Sequence, residues 1–488
     1  MIKIKSTLLL LFAAFIAVYS QQFPVKTVLL NGPTNERINI VFLGDGYKSN
    51  EMTKYENDVQ NTIDKLFEEE PYKDYKNFFN VFAVEVPSNE SGTDHPGGLA
   101  DCGPYKDSVF YRDTYFNSSF DYAGTHRLLV ADYTIVQKVL IDNFPEYDMV
   151  FMVVNFNWYG GSGGNISVFS TNVSSSEIAI HEAGHSFANL ADEYGGNSNG
   201  KTDGINVTMQ TVKSAIPWKA WIEPDTPLPT PEEQQYQFGT VGLFLGAFYN
   251  DVSMYRPQFD CKMRTLNAPF CKICLEQHIK TIFSYFELIN SHQPDNENVK
   301  MYSNGKTDFN IGIMDFGLSN LSVNWSLDNN TVAQNSYSYS LLGSQTNIGQ
   351  HYLSATVAYN TPDVINDPQG LLRSTVGWNV EIASPTGIET EDGLPTQYSL
   401  DQNYPNPFNP TTEINYQLPA AGHVSLKVYD ILGNLVSKLV DEYKQPGYYK
   451  VAFNGQQTTA NQQLTSGIYF YQLISGNTVI TKKMILMK

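Results

Sequence analysis

At 488 residues the chain is too long for one hydrophobic core, and the length corresponds to about three domains. Hydrophobic residues make up 42% and aromatic residues 13%, enough to fill packed cores and to exclude a disordered polymer. A formal net charge of −19 argues against a nucleic-acid ligand, which selects basic surfaces, and against electrostatic attachment to anionic membranes.

The first twenty residues, MIKIKSTLLLLFAAFIAVYS, place Lys3 and Lys5 before an apolar run and end on small residues. This is the pattern of a secretory signal peptide over 1–20, too short for a membrane span, and no later stretch has the ~20 apolar residues a span requires. The mature chain then alternates strand and helix. RINIVFLGDGY (37–47) reads as a buried strand ending in a Gly-Asp-Gly turn. Residues 50–69 read as a helix with Val59, Ile63 and Phe67 on one face. FFNVFAVEVPS (78–88) and YDMVFMVVNF (147–156) are further strands, the latter followed by the glycine-rich loop NWYGGSGGN. The order predicts an α/β domain with a central sheet over 21–294. Neither LGDGY nor YGGSGG has the spacing of a phosphate-binding loop.

VSSSEIAIHEAGHSF reads as a helix, with Ser174 and Glu177 spaced for a capping box. His181 and His185 are four residues apart, on one face and about 6 Å apart along the axis, so both imidazoles can converge on one zinc ion. Glu182 sits beside them, placed to take a proton from a water molecule as general base. A catalytic zinc needs a third protein ligand, and the pattern HExxHxxG followed by xxH or xxD supplies one after a glycine turn. Here those positions are Ala188 and Ala191. On a continued helix Asp192 would lie about 10 Å beyond His185 along the axis, so the helix must turn first. Asn189 tolerates the left-handed conformation that ends a helix, and Asp192 follows it by three residues. Asp192 is therefore the expected third ligand, with Glu193 as the alternative.

Four cysteines, Cys102, Cys261, Cys271 and Cys274, would lie in an oxidising compartment after export, where structural disulfides are the expectation. CKIC (271–274) also reads as half of a zinc ribbon, but no second matching pair accompanies it. Met263 can form a turn beneath the zinc, with Met254 as the other candidate. Tyr194 and Tyr255 are candidate hydrogen-bond donors to the oxyanion of a tetrahedral intermediate.

Beyond 294 the pattern becomes all-β. VKMYSN, FNIGIMDF, LSVNWSL, HYLSATVAY and TVGWNVEIA predict a β-sandwich over 295–384. A polar linker follows at 385–396, and HVSLKVYDI, YYKVAFNG and GIYFYQLI predict a second all-β sandwich over 397–488.

HEAGHSFANLADEY resembles the signature of the IgA peptidase family of zinc metallo-endopeptidases. The likeness extends over about 35–385 through RINIVFLGDGY, MYRPQFDCKMR, FCKIC and NWSLDNN. It implies a zincin-like catalytic domain, bound Zn2+ and a protein or peptide substrate; the family commonly has glycine where this chain has Ala188-Asn189. YSLDQNYPNPFNPTTEINYQLP, KVYDILGNLV, SGIYFYQL and KKMILMK resemble a type IX secretion sorting domain. That resemblance implies the type IX machinery as a partner, passage across the outer membrane, and a secreted or cell-surface protein. The competing readings are a surface binding protein with an inactive zincin domain, and a zinc hydrolase of non-peptide amides.

Overall fold

The computed structural model describes residues 22–197, 202–384, 395, 397–456 and 464–487. The expected signal peptide at 1–20, and all of the expected linker except Pro395, lie outside the described residues. The fold is mixed α/β, dominated by sheets. One compact unit comprises 1–297, 308–339 and 352–379, and the other 298–307, 340–351 and 380–488.

In the first unit, a six-stranded sheet is built from β1 (Val25–Leu29), β2 (Ile38–Asp45), β3 (Phe79–Val84), β4 (Met149–Val154), β5 (Gly161–Ser162) and β6 (Ser167–Ser170), in the order β1-β3-β2-β4-β6-β5. Strands β3, β2, β4 and β6 are parallel, whereas β1 and β5 add antiparallel edges. Every residue of β2, β3 and β4 is buried, which explains their unbroken apolar runs: a parallel sheet is covered on both faces. Alternation divides the side chains. Val41, Leu43, Phe82, Val84, Val150 and Met152 point to one face and pack with Val136, Val139 and Leu140 of α2 (Tyr133–Asn143). Phe42 and Phe151 stack at 5.1 Å between ring centroids on the other.

Helix α1 (Met52–Leu66) buries Val59 and Ile63 as its period requires, and it packs against α3 (Ser175–Ser186), which also lies on β5 and β6. The hairpin of β7 (Phe244–Ala247) and β8 (Asn250–Arg256) and the helix α4 (Lys272–Phe283) follow. The remainder of this unit is antiparallel: 289–293 pairs with 310–313, and 321–327 pairs with 330–334 and 353–359. Trp325 and Trp378, both fully buried, stack at 5.8 Å.

In the second unit, 399–400, 411–418 and 447–454 form one sheet, and 422–429, 435–444, 467–475 and 478–486 form another. Alternate residues from both sheets, among them Leu400, Ile414, Leu426, Tyr471 and Leu486, form one core. Among the described residues no helix is long and apolar enough to cross a membrane.

Candidate metal centre

Helix α3 carries both histidines but starts differently from the sequence expectation. Ser174 makes no side-chain cap bond, and the Glu177 carboxylate accepts instead from Lys262 Nζ at 2.6 Å and from the Asn267 N–H at 3.0 Å. A lysine offers a full charge where the capping box offers only backbone dipoles, so the capping box does not form. The end of the helix is as the residues imply. Asn189 adopts φ 54°, its N–H donates to the His185 carbonyl at 3.1 Å, and the Leu190 N–H donates to the Gly184 carbonyl at 2.9 Å.

That reversal carries Asp192 back over the histidines. Asp192 Oδ1 lies 3.1 Å from His181 Nε2 and 3.2 Å from His185 Nε2. The other ring nitrogens face backbone carbonyls: His181 Nδ1 is 2.9 Å from the Lys262 oxygen, and His185 Nδ1 is 2.7 Å from the Leu190 oxygen. A carbonyl only accepts, so each Nδ1 carries a proton, and Nε2 is the atom each ring presents to the carboxylate oxygen. One carboxylate oxygen between two Nε2 atoms is a place for positive charge, a proton or a metal ion, and two imidazoles with a carboxylate are a zinc donor set. The residues fit the metal. Without it, burial would lower the His185 imidazole, but Asp192 outweighs burial and raises it to about 9. Burial raises the Asp192 carboxyl while its bonds to His181 and His185 pull it, on balance, well below the usual carboxylate range.

Glu182 is 8% exposed, and burial raises its carboxyl above the usual range. It faces the loop after β5: a Cβ on Gly163 would come within 2.6 Å of Glu182 Oε2, so a larger residue there would displace the carboxylate. On the other side of α3, a Cβ on Gly184 would meet Met263 Sδ at 2.4 Å. Met263 is thus packed under the histidine helix, while Met254 belongs to a separate cluster with Val207 and Ala247.

Two residues without a motif complete the site. Tyr249 Oη donates to Asp192 Oδ2 at 2.6 Å, and the Phe248 N–H donates to the Asp192 carbonyl at 2.9 Å. Both occupy the two-residue turn between β7 and β8 with φ of 49° and 59°, a conformation aromatic residues rarely adopt. Tyr194 Oη lies 2.7 Å from Tyr249 Oη and 3.5 Å from Arg127 Nη2. Tyr194, Tyr249, Arg127, Gly163 and Gly164 line a cleft of about 920 Å³ that also contains Glu182 and the three donors. Tyr255 does not line it; its backbone pairs with Thr208 within the β8 region. Replacing Tyr249 by Phe should weaken metal binding by ~10-fold or more, as loss of an outer hydrogen bond to a ligand does. Competition of the two metal-loaded proteins against a chelator measures it.

Glu193, the alternative ligand, points elsewhere: its Oε1 is 3.2 Å from Cys274 Sγ and 3.7 Å from Cys271 Sγ. The expected disulfides are not formed, because all four cysteines are free thiols engaged by polar groups. Cys102 Sγ lies 3.4 Å from Asp121 Oδ1 and 3.8 Å from His95 Nε2, in a cluster with His126.

Two imidazoles, a returning carboxylate and an adjacent buried glutamate in one cleft are the constellation of HExxH metallohydrolases. The family model for IgA peptidase M64 matches residues 27–240 and 232–283, more than half of the chain, and the chain belongs to that family of peptidases. Residues 402–487 match the secretion system C-terminal sorting domain, which indicates export by type IX secretion to the cell surface or beyond. Among solved structures the chain is similar to dimeric latent PorU from Porphyromonas gingivalis (14% identity, 41% of this chain and 20% of that one, TM-score 0.17). It is also similar to the fibronectin(III)-like modules of Clostridium thermocellum CbhA (8% identity, 40% and 92%, TM-score 0.18) and to domains 5-6 of the S-layer protein SbsC (11% identity, 41% and 99%, TM-score 0.19). The chain thus spans a fifth of the PorU chain it matches. Comparison with curated proteins gives no match.

Proposed function

We propose that the protein is an exported zinc-dependent endopeptidase with Glu182 as general base. The observation that carries this reading is the approach of His181 Nε2 and His185 Nε2 to one oxygen of Asp192 within the cleft that holds Glu182. His181, His185 and Asp192 would hold a zinc ion, which would supply Lewis-acid activation of the scissile carbonyl and of the attacking water. Glu182, whose raised carboxyl suits proton transfer nearer neutral pH, takes the water proton and passes it to the leaving amine. Tyr194 and Arg127 stand beside the donors and can donate hydrogen bonds to the carbonyl oxygen as it gains charge. Gly163 and Gly164 follow the edge strand β5 and line the cleft, offering bare backbone alongside which an extended peptide can lie.

Incubation with a denatured protein mixture should give internal cleavage that a zinc chelator abolishes and added zinc restores. Bound zinc without any cleavage of protein would favour a binding module instead.

The C-terminal sandwich is proposed to serve export alone. Its core is drawn wholly from residues between 400 and 486, and every residue given a role in hydrolysis precedes it. A chain ending at Ser384 should bind zinc and cleave peptides like the full chain. In a host with type IX secretion it should remain in the periplasm, which fractionation and an activity assay check together. Appearance of the shortened chain in the medium would remove the sorting role.

A further inference from the structure

One residue past Asp192, the chain directs its next carboxylate the opposite way, into a buried set of three thiols. Glu193 follows α3, Cys261 precedes Met263, and Cys271 and Cys274 begin α4, where Cys271 is the cap residue. One ligand atom from each of the four lies within 4.8 Å of all the others. Cys261 Sγ is 3.7 Å from Cys274 Sγ, and Glu193 Oε1 is 3.7 Å from Cys271 Sγ and 3.2 Å from Cys274 Sγ. A tetrahedral zinc with bonds of about 2.3 Å to sulfur and about 2.0 Å to oxygen has edges of about 3.5–3.8 Å. The four donors already stand close to that spacing.

Three features favour a metal over a disulfide. The first is parity. Cys102 is engaged with Asp121 and His95, so three thiols remain here, and a disulfide would leave one of them beside a buried carboxylate. The second is Glu193 itself, which is fully buried. Its Oε1 accepts from Asn206 Nδ2 at 2.9 Å, but its Oε2 has no hydrogen-bond partner. The Arg256 guanidinium is committed to Glu232 and to the carbonyls of Gly246 and Phe259. A buried carboxylate is costly unless its charge is paired, and a cation bound by Oε1 among the thiols would pair it. The third is that the Cys271 N–H donates to Cys261 Sγ at 3.2 Å, a bond that favours the thiolate form a metal needs.

We infer that Glu193, Cys261, Cys271 and Cys274 bind a structural zinc ion, separate from the one proposed at His181, His185 and Asp192. All four ligands bind deprotonated, so whatever protons the thiols and the Glu193 carboxyl carry pass to solvent as the metal enters. The ion ties the segment that carries Asp192 to α4 and to the turn beneath the histidine helix, where the Glu193 N–H already donates to the Met263 carbonyl at 2.8 Å. It thereby holds the third catalytic donor in place through its neighbour in the chain.

The test uses the full chain, loaded with zinc or with cobalt(II). Cys274→Ser and Glu193→Gln should each contain one metal equivalent fewer than the wild type. A His181→Ala/His185→Ala double variant should keep this metal and, with cobalt, show thiolate-to-cobalt charge-transfer absorption in the near ultraviolet. Thiol titration after denaturation in chelator without reductant should find four free thiols. Two free thiols would establish a disulfide and overturn the inference, as would a double variant without that absorption or Cys274→Ser with unchanged metal content. If Cys274→Ser does not fold, the thiol count and the spectrum of the double variant decide. That variant retains the thiols and lacks the catalytic imidazoles, so failure of this site and failure of the peptidase reading appear in different measurements.

Discussion

Glu182→Gln should keep its zinc and its fold yet hydrolyse peptides at least ~100-fold more slowly, the lower end of what a positioned general base contributes. The substitution is nearly isosteric and leaves His181, His185 and Asp192 intact. Glu182 is buried, and burial disfavours its charged form, so a neutral amide of the same shape costs little stability at that position. What disappears is the group that accepts the water proton. Rate measurements on a peptide library, with metal analysis of the same preparation, check both halves. Near-wild-type turnover would remove Glu182 from the mechanism.

Asp192→Ala should have a comparable effect on turnover by a different route. It removes the oxygen that both Nε2 atoms face and the bond from Tyr249 Oη to Oδ2, while the backbone bond from Phe248 to residue 192 survives. Two imidazoles alone hold zinc weakly, so the loss of affinity should exceed the ~10–100-fold typical of an outer-shell partner. Hydrolysis should return only when excess zinc is supplied. Reconstitution of the metal-free variant with graded zinc, followed by activity, gives the result. Half-maximal recovery at the wild-type zinc concentration would show that Asp192 is not a ligand.

Much of the catalytic unit was legible because local pattern and burial agree. The apolar runs of β2, β3 and β4 announce strands covered on both faces, and Val59 and Ile63 recur at the helical period on α1. The turn at Asn189 could be reasoned from the reach of a continued helix, since Asp192 comes within 3.2 Å of both histidines only if the helix stops there. The edge strand β5 was not legible, because two residues carry no period. Tyr249 was not either: its bond to Asp192 spans 57 residues, and its turn has neither glycine nor asparagine at the left-handed positions.

The sequence by itself determined strands β2, β3 and β4 and helix α1, the pairing of His181, Glu182 and His185 on one helix, and the sorting motifs of the tail. Those are short-range facts, set by the helical repeat, by strand alternation and by motifs read within a few residues. Only the tertiary structure decided which of two adjacent carboxylates faces the histidines and what the cysteines do. Asp192 and Glu193 are neighbours in the chain, yet one carboxylate meets the histidines and the other the thiols, while the Glu193 N–H is held by the Met263 carbonyl. The thiols that receive Glu193 lie 78 and 81 residues away, so their convergence exists only once α3, the Met263 turn and α4 are packed together.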